Sequence, residues 1–254
     1  MKLKLALREL FFLLPGPLVR AFFNSKFFMK LAFGGRFAIS DLDLKLEPYL
    51  GFNQGFFIEI GGNDGFSQSN TKHLELFREW TGVLVEPYKK NWKRMLLTRK
   101  KSSFKFHGAC VPSDFVGDSV SLTYSNLMTV SDSLDTDLPS RQSHADSGKQ
   151  FLRRPSEVRQ FIAPALTLTA VLDESKAPYE IDFFSLDVEG AEIPVLMGLD
   201  FEKYRIRFIL VETRSPELME SFLNSRGYVL EGQLTHHDFL FRDAKAASKS
   251  GKIA

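Results

Sequence analysis

The sequence predicts an α/β protein built on a doubly wound, mostly parallel sheet that finishes in an antiparallel hairpin. Three observations predict it. Short apolar runs alternate with amphipathic segments from residue 56 to residue 110, the same alternation resumes at residue 181, and two strand-like runs separated by a short turn end the ordered part of the chain.

The first run, FFIEI at residues 56–60, is flanked by glycines and reads as a buried parallel strand. Residues 69–80 carry Leu74, Leu76, Phe77 and Trp80 at helical spacing, with Ser and Asn available as N-caps. GVLVE at 82–86 is a second strand, residues 88–99 a basic amphipathic helix, and residues 103–110 a third strand. The pattern lapses between 111 and 165, where Ser, Asp, Arg and Gln dominate and only 119–124 reads as a strand; such a long stretch marks a functional or mobile insertion. Order resumes with a strand at 181–187, a short helix at 191–197 and a strand at 206–212. Residues 215–226 form a helix with Ser215 as N-cap, Pro216 at its first position and Gly227 as its stop. The hairpin occupies 228–234 and 238–242, and the small, basic residues 244–254 form a flexible tail.

With 44% hydrophobic residues the chain has ample material for a core, and 33 Lys and Arg against 31 Asp and Glu give too little charge for a general polyanion binder. Cys110 is the single cysteine, which excludes an intramolecular disulfide and a multi-cysteine zinc site. The N-terminus, MKLKLALRELFFLLPGPLVRAFF, has the outline of a signal peptide, but Arg8 and Glu9 interrupt its apolar run and Pro15 and Pro17 break any helix. No uncharged run approaches the roughly 18 to 20 residues that span a bilayer. Phe22, Phe23, Phe27 and Phe28, interleaved with Lys26 and Lys30, form an amphipathic segment that lies on a membrane interface or packs on the domain. A cytoplasmic protein with peripheral membrane contact is the expectation, and nothing in the sequence sets its oligomeric state.

The chemistry concentrates where strands end. FFIEI runs into Gly61-Gly62-Asn63-Asp64-Gly65, a tight strand-to-helix turn of the kind that binds ligands in open α/β sheets. Of the three glycine positions of a dinucleotide fingerprint counted from Gly61, the second and third hold Asn63 and Phe66, and no Gly-Lys-Ser or Gly-Lys-Thr follows. Glu86 closes the second strand where a nucleoside's ribose diol is held, and Glu59 places an acceptor beside the first turn suited to a cationic amine. Acid there disfavours a phosphate cofactor. The set suits a nucleoside joined to an amino acid and a sulfonium.

These residues resemble the FkbM-type methyltransferases. The run from Phe57 to Gly65 is similar to that family's first motif, with Glu59 where Asp is more usual and Gly62 where Ala is; Ser69-Asn70-Thr71 and the run Gly82 to Pro87 follow in register. The run Ile181 to Glu192 resembles the fourth strand and its acidic exit, and Val195 to Gly198 with Val211-Glu212 continue the likeness. The resemblance covers about residues 56–241. It implies a Rossmann-like class I methyltransferase with a seven-stranded sheet, S-adenosylmethionine as cofactor, and transfer to an oxygen of a carbohydrate or other small hydroxylated acceptor. The chain then divides into a phenylalanine-rich extension (1–54), a methyltransferase domain (55–243) with a variable insertion (111–165), and the tail. Cofactor contacts fall on Glu59, Gly61, Gly62, Asn63, Gly65, Asn70, Glu86 and Asp187.

Removing a hydroxyl proton needs a base or a metal. Asp187 ends the fourth strand beside the expected methyl position, with Glu189, Glu192 and Glu212 nearby; these acids supply a base or bind a hard cation such as Mg²⁺, although the helix dipole alone accounts for Glu192. His237, with His236 in the hairpin turn, is a further candidate base. His73, His107, Trp80 and Trp92 are read as packing residues. Two other readings use the same residues: a scaffold that kept the fold without turnover, and an RNA or protein methyltransferase, for which the basic helix at 88–99 is the sole support.

Overall fold

The computed structural model describes residues 11–152 and 157–246. A mostly parallel seven-stranded sheet is its centre. Its strands are β1 (Phe56–Ile60), β2 (Thr81–Glu86), β3 (Phe104–His107), β8 (Glu180–Leu186), β9 (Arg205–Glu212), β10 (Tyr228–Gln233) and β11 (Asp238–Asp243), in the spatial order β10-β11-β9-β8-β1-β2-β3. All neighbours are parallel except β11, which pairs antiparallel with β9 and β10. The expected hairpin is present, and the strand order reverses between β1 and β8, where an α/β sheet opens a crevice.

The central strands are apolar on both faces because both are covered. Ile58, Ile60, Val83, Val85, Phe184, Leu186, Ile209 and Val211 point into one core layer, and their alternates Phe57, Leu84, Phe183, Phe208 and Leu210 into the other. The second layer also takes Leu42, Leu46 and Leu50 from a helix at Leu42–Leu50 (α3), so residues that the sequence reading placed in the extension complete the sheet's core.

Three expectations change. The helix expected over 69–80 is shorter, Lys72–Phe77 (α4), because Ser69 and Thr71 turn inward to donate to Glu59 at 3.2 and 2.5 Å. The strand expected over 103–110 is two strands, because Gly108 lets the chain leave one sheet for another; a Cβ there would stand 2.5 Å from Leu166 and 2.8 Å from the Pro164 carbonyl oxygen. The stretch 111–165 is ordered where described. Strand β4 (Ala109–Val111) opens a second sheet, order β4-β7-β5-β6, with β5 (Ser119–Tyr124), β6 (Val130–Ser131) and β7 (Arg159–Thr167); a helix, α6 (Arg141–Ser147), lies between β6 and β7. Only Ala163 of β7 is fully buried and Pro164 interrupts its pattern, so the apolar signal that marks a strand is missing from it.

Pro15 and Pro17 stand at a break between helices, as expected: Phe11 is helical, residues 12–15 turn, and a new helix, α1 (Gly16–Phe23), starts with Pro15 at its N-cap position and Pro17 in its first turn, where no backbone hydrogen bond is lost. Ser25 then caps α2 (Lys26–Phe33). Val19, Phe23 and Met29 are buried with Phe37, Phe66 and Leu76, and Phe23 meets the Phe66 ring at 4.8 Å, so these helices pack behind the first turn. No helix among the described residues is long and apolar enough to cross a membrane. Residues 1–10 and 247–254, which carry the basic start of the leader and most of the expected tail, lie outside the described residues.

Candidate active site

The turn after β1 is held open by backbone geometry. The Gly61 and Gly62 amides both donate to the Val85 carbonyl at 3.2 Å, and Asp187 donates to Ile60 at 3.2 Å, so the ends of β1, β2 and β8 meet at one point. Gly61 has φ +84°, and a Cβ on it would lie 1.8 Å from the Asp187 carbonyl oxygen. A cavity of about 370 Å³ opens above this junction, within the usual range for a small-molecule site. Five of the nine non-glycine residues with positive φ among the described residues, Ser40, Asn63, Gln68, Asn126 and Glu189, line it, which concentrates backbone strain at this place.

Seven of the eight expected cofactor residues line the cavity: Glu59, Gly61, Gly62, Asn63, Asn70, Glu86 and Asp187. Gly65 does not. It sits behind the turn, its α-carbon facing Thr98 and Met95 of the helix α5 (Lys89–Thr98) and Arg99 just beyond its end. Asn70 donates through Nδ2 to Ser185 at 3.0 Å, and its Oδ1 is a buried acceptor with no partner.

Glu59 already has its cation. Arg99, fully buried, reaches its Oε2 at 2.5 Å and also contacts Ser69 and Thr71. Behind them Lys72 and Glu75, both wholly inaccessible, pair at 3.2 Å, and Lys72 donates to the Thr98 carbonyl at 2.6 Å and to Asn24 of the N-terminal segment at 3.3 Å. Burial is the main force lowering the Lys72 pKa, to about 8. Glu59 therefore presents a neutralised carboxylate to the cavity.

Glu86 is different. It accepts from the Tyr88 amide at 2.9 Å and from the Asn63 amide and Asn91 side chain, but no cation faces it. Burial pushes its carboxyl up to about 8, with Asp64 adding to the rise.

The four expected catalytic residues, Asp187, Glu189, Glu212 and His237, also line the cavity, together with His236, Asp238 and Thr235 from the hairpin turn. Asp187 is raised well above the ordinary carboxylate range, first by burial and then by the charges of Glu212, Glu189, Glu192 and Asp238. Glu212 is pushed up to about 7 by burial and by Glu189 and Asp238, a rise that Arg214 and a hydrogen bond with Asp187 partly offset. A hydrogen bond thus links the two strand-end acids, and the charge of Glu212 raises Asp187. His237 is lowered by burial and by His236 and Arg214. Among the described residues no three His, Cys, Asp or Glu side chains are grouped so as to hold a metal ion.

Glu189 is tied to the insertion. His144 of α6 contacts its Oε2 at 2.7 Å and Arg214 lies 3.4 Å from the same oxygen, while Asp137 donates its amide to the Gly190 carbonyl at 3.1 Å. Glu192 stays off the cavity and accepts from the Val188 and Gly190 amides at 3.2 and 3.0 Å, the helix-start role expected of it. His73 and His107 bond the Gly35 and Pro87 carbonyls at 2.8 and 3.1 Å; Trp80 is fully buried and Trp92 packs on His107. Sequence reasoning missed Asp238, Thr235 and His144. Only Asp238, adjoining His237, carried a signal that could have found it.

Comparison with known proteins identifies the class. The Methyltransferase FkbM domain model matches residues 59–230, about two thirds of the chain, and the protein belongs to that family of S-adenosylmethionine-dependent methyltransferases. Comparison with curated protein sequences yields no match. Similar solved structures include a putative RNA methyltransferase from Pyrococcus horikoshii (12% identity, 81% of each chain, TM-score 0.39). The METTL16 methyltransferase domain (13% identity, 91% of this chain and 81% of that one, TM-score 0.42) and a human methyltransferase 10 domain containing protein (12% identity, 91% and 97%, TM-score 0.39) are others.

The cavity fits the cofactor that this family uses. Its lining holds six carboxylates, Glu59, Glu86, Asp187, Glu189, Glu212 and Asp238, and no Lys or Arg, a donor-poor and acceptor-rich set that suits a sulfonium and a diol and repels phosphate. The unpartnered Asn70 Oδ1 is an acceptor waiting for a ligand's donor.

Proposed function

We propose that the protein transfers the methyl group of S-adenosylmethionine to an oxygen of a small, uncharged, hydroxylated acceptor, with a carbohydrate as the best fit. The observation that carries this reading is the hydrogen-bonded pair of Asp187 and Glu212, at two neighbouring strand ends, in a cavity without a lining cation.

The ends of β9, β8, β1 and β2 set Glu212, Asp187, Gly61 and Glu86 in that order along one sheet edge, a span of about 14 Å at the usual strand spacing. Glu86 would hold the ribose diol, with Pro87, Ala109 and Leu122 as apolar neighbours for the base; Asn70 would accept from the amino-acid end beside Glu59. When bound, the cofactor supplies an electrophilic methyl group. Sequence reasoning put Asp187 first among the acids that supply a base or bind a metal. Burial and four neighbouring acids push Asp187 well above the ordinary carboxylate range, whereas Glu212 is pushed up to about 7, so Glu212 takes the base role in this reading, with Asp187 hydrogen-bonded to it. A carboxylate with a pKa near 7 is matched to taking a hydroxyl proton at neutral pH. His237, which also lines the cavity and whose pKa is lowered, is the alternative acceptor.

Glu86 gives the cofactor site a pH signature. Ribose hydroxyls bind the ionised carboxylate best, so binding draws a proton off a group whose free pKa is about 8. Affinity for S-adenosylhomocysteine is expected to rise with pH up to about 8 and then level off, and Glu86→Gln should flatten that limb. Glu86→Ala should weaken binding by about 1 to 3 kcal/mol. Calorimetry across the pH range checks both; an unchanged dissociation constant in Glu86→Ala would move the ribose elsewhere.

The acceptor is tested with methyl-labelled S-adenosylmethionine offered to neutral glycans, structured RNA and protein. Label in the glycan arm, in an ether linkage stable to base, is the expected outcome. Label confined to RNA or protein overturns the acceptor assignment, and intact cofactor binding with no transfer to any arm makes the chain a scaffold.

A further inference from the structure

The N-terminal helices carry a surface that methyl transfer does not use. Leu13, Leu14, Leu18, Phe27, Phe28 and Leu31 are between 45% and 81% exposed, while Val19, Phe23 and Met29 of the same segment are buried against the domain. The helices are thus anchored by one face and bare on the other. Half-buried Phe22 joins the two helices, stacking on Phe11 at 4.2 Å and on the exposed Phe28 at 5.7 Å, and Phe27 meets Phe28 edge-on at 5.6 Å. Clustered exposed apolar side chains of this size mark an interaction surface.

Charge selects the occupant. Residues 1–40 hold seven of the chain's 33 Lys and Arg residues but only one of its 31 acidic residues, Glu9. Lys26 and Lys30 are exposed among the α2 rings, and exposed Lys89, Lys90 and Lys93 stand on α5, against which α1 packs. Arg94 of α5 lies over the Phe12 ring at 4.5 Å. A second copy of the chain would bring two positive surfaces together. A face that mixes bare Leu and Phe with Lys, with Glu79 at 3.9 Å from Lys26 as an acid beside it, complements anionic lipid.

We propose that α1 and α2 dock the protein on an anionic membrane surface, with the exposed Leu and Phe side chains in the headgroup layer and Lys26 and Lys30 against lipid phosphates. Nothing in this depends on the acceptor. The test is co-sedimentation of the full-length protein with vesicles of phosphatidylcholine alone or mixed with phosphatidylserine. Partition onto the mixed vesicles should exceed that onto neutral ones by about 10-fold and fall at high salt. Phe27→Ser with Leu31→Ser, at positions 70% and 75% exposed, should lower it by a further factor of about 10 while leaving S-adenosylhomocysteine binding unchanged. Lys30→Glu should weaken binding to the mixed vesicles only. Equal partition onto both vesicle types, no partition at low salt, or a dimer in light scattering that the double variant abolishes would each overturn the proposal.

Discussion

Replacing Glu212 by Gln lowers turnover by about 100 to 10,000-fold, the range expected when a general base is lost. The substitution keeps the side chain's size at the end of β9 and removes the carboxylate whose pKa is pushed up to about 7. Cofactor affinity should change little, because Glu86 ends β2 and Asn70 lies in the turn before α4, away from the end of β9. The wild-type pH profile carries the sign: the base must be deprotonated, so the rate rises with pH through about 7, and Glu212→Gln loses that limb. Asp187→Asn is the informative companion. If Asp187 works as a protonated donor, the amide replaces its hydrogen bond and part of the rate survives; a loss as steep as that of Glu212→Gln would return the base role to Asp187. If EDTA abolishes activity and Mg²⁺ restores it, the two acids are metal ligands instead.

Gly61→Ala is expected to disrupt the protein rather than tune it. The new Cβ would stand 1.8 Å from the Asp187 carbonyl oxygen, an approach only backbone movement can relieve, and the residue would be forced to keep φ +84°. Left-handed strain costs an L-residue about 1 to 2 kcal/mol, and overpacking adds about 1 to 3. Urea denaturation should show a loss of about 2 to 5 kcal/mol, and whatever folded protein remains should bind S-adenosylhomocysteine poorly because the β1 and β8 ends have separated. Gly62→Ala is a milder control, since its Cβ meets the flexible end of Met95 at 2.8 Å. Equal stability of Gly61→Ala and wild type would contradict this account of the junction.

The sheet was legible in the sequence because its central strands are buried on both faces and read as unbroken apolar runs. Glu86, Asp187 and Glu212 were legible because each ends such a run, and topology places parallel strand ends at one edge. What stayed hidden has physical causes. Periodicity assigns charged side chains to solvent, so Lys72 and Arg99 gave no hint of their burial, and the partner of Glu59 lies 40 residues away. The second sheet is half exposed and lacks an apolar pattern. His144 reaches Glu189 across 45 residues through a segment whose composition resembles a loop. The raised pKa of Asp187 is a property of the assembled pocket, since it depends on burial and on acids from three strand ends.

The most direct measurement is calorimetric titration of the folded, full-length protein with S-adenosylmethionine and S-adenosylhomocysteine. The account predicts saturable binding of both at one site per chain, weakened by Glu86→Ala and tightening with pH up to about 8. No heat at millimolar cofactor, in a sample shown by circular dichroism to be folded, would contradict it.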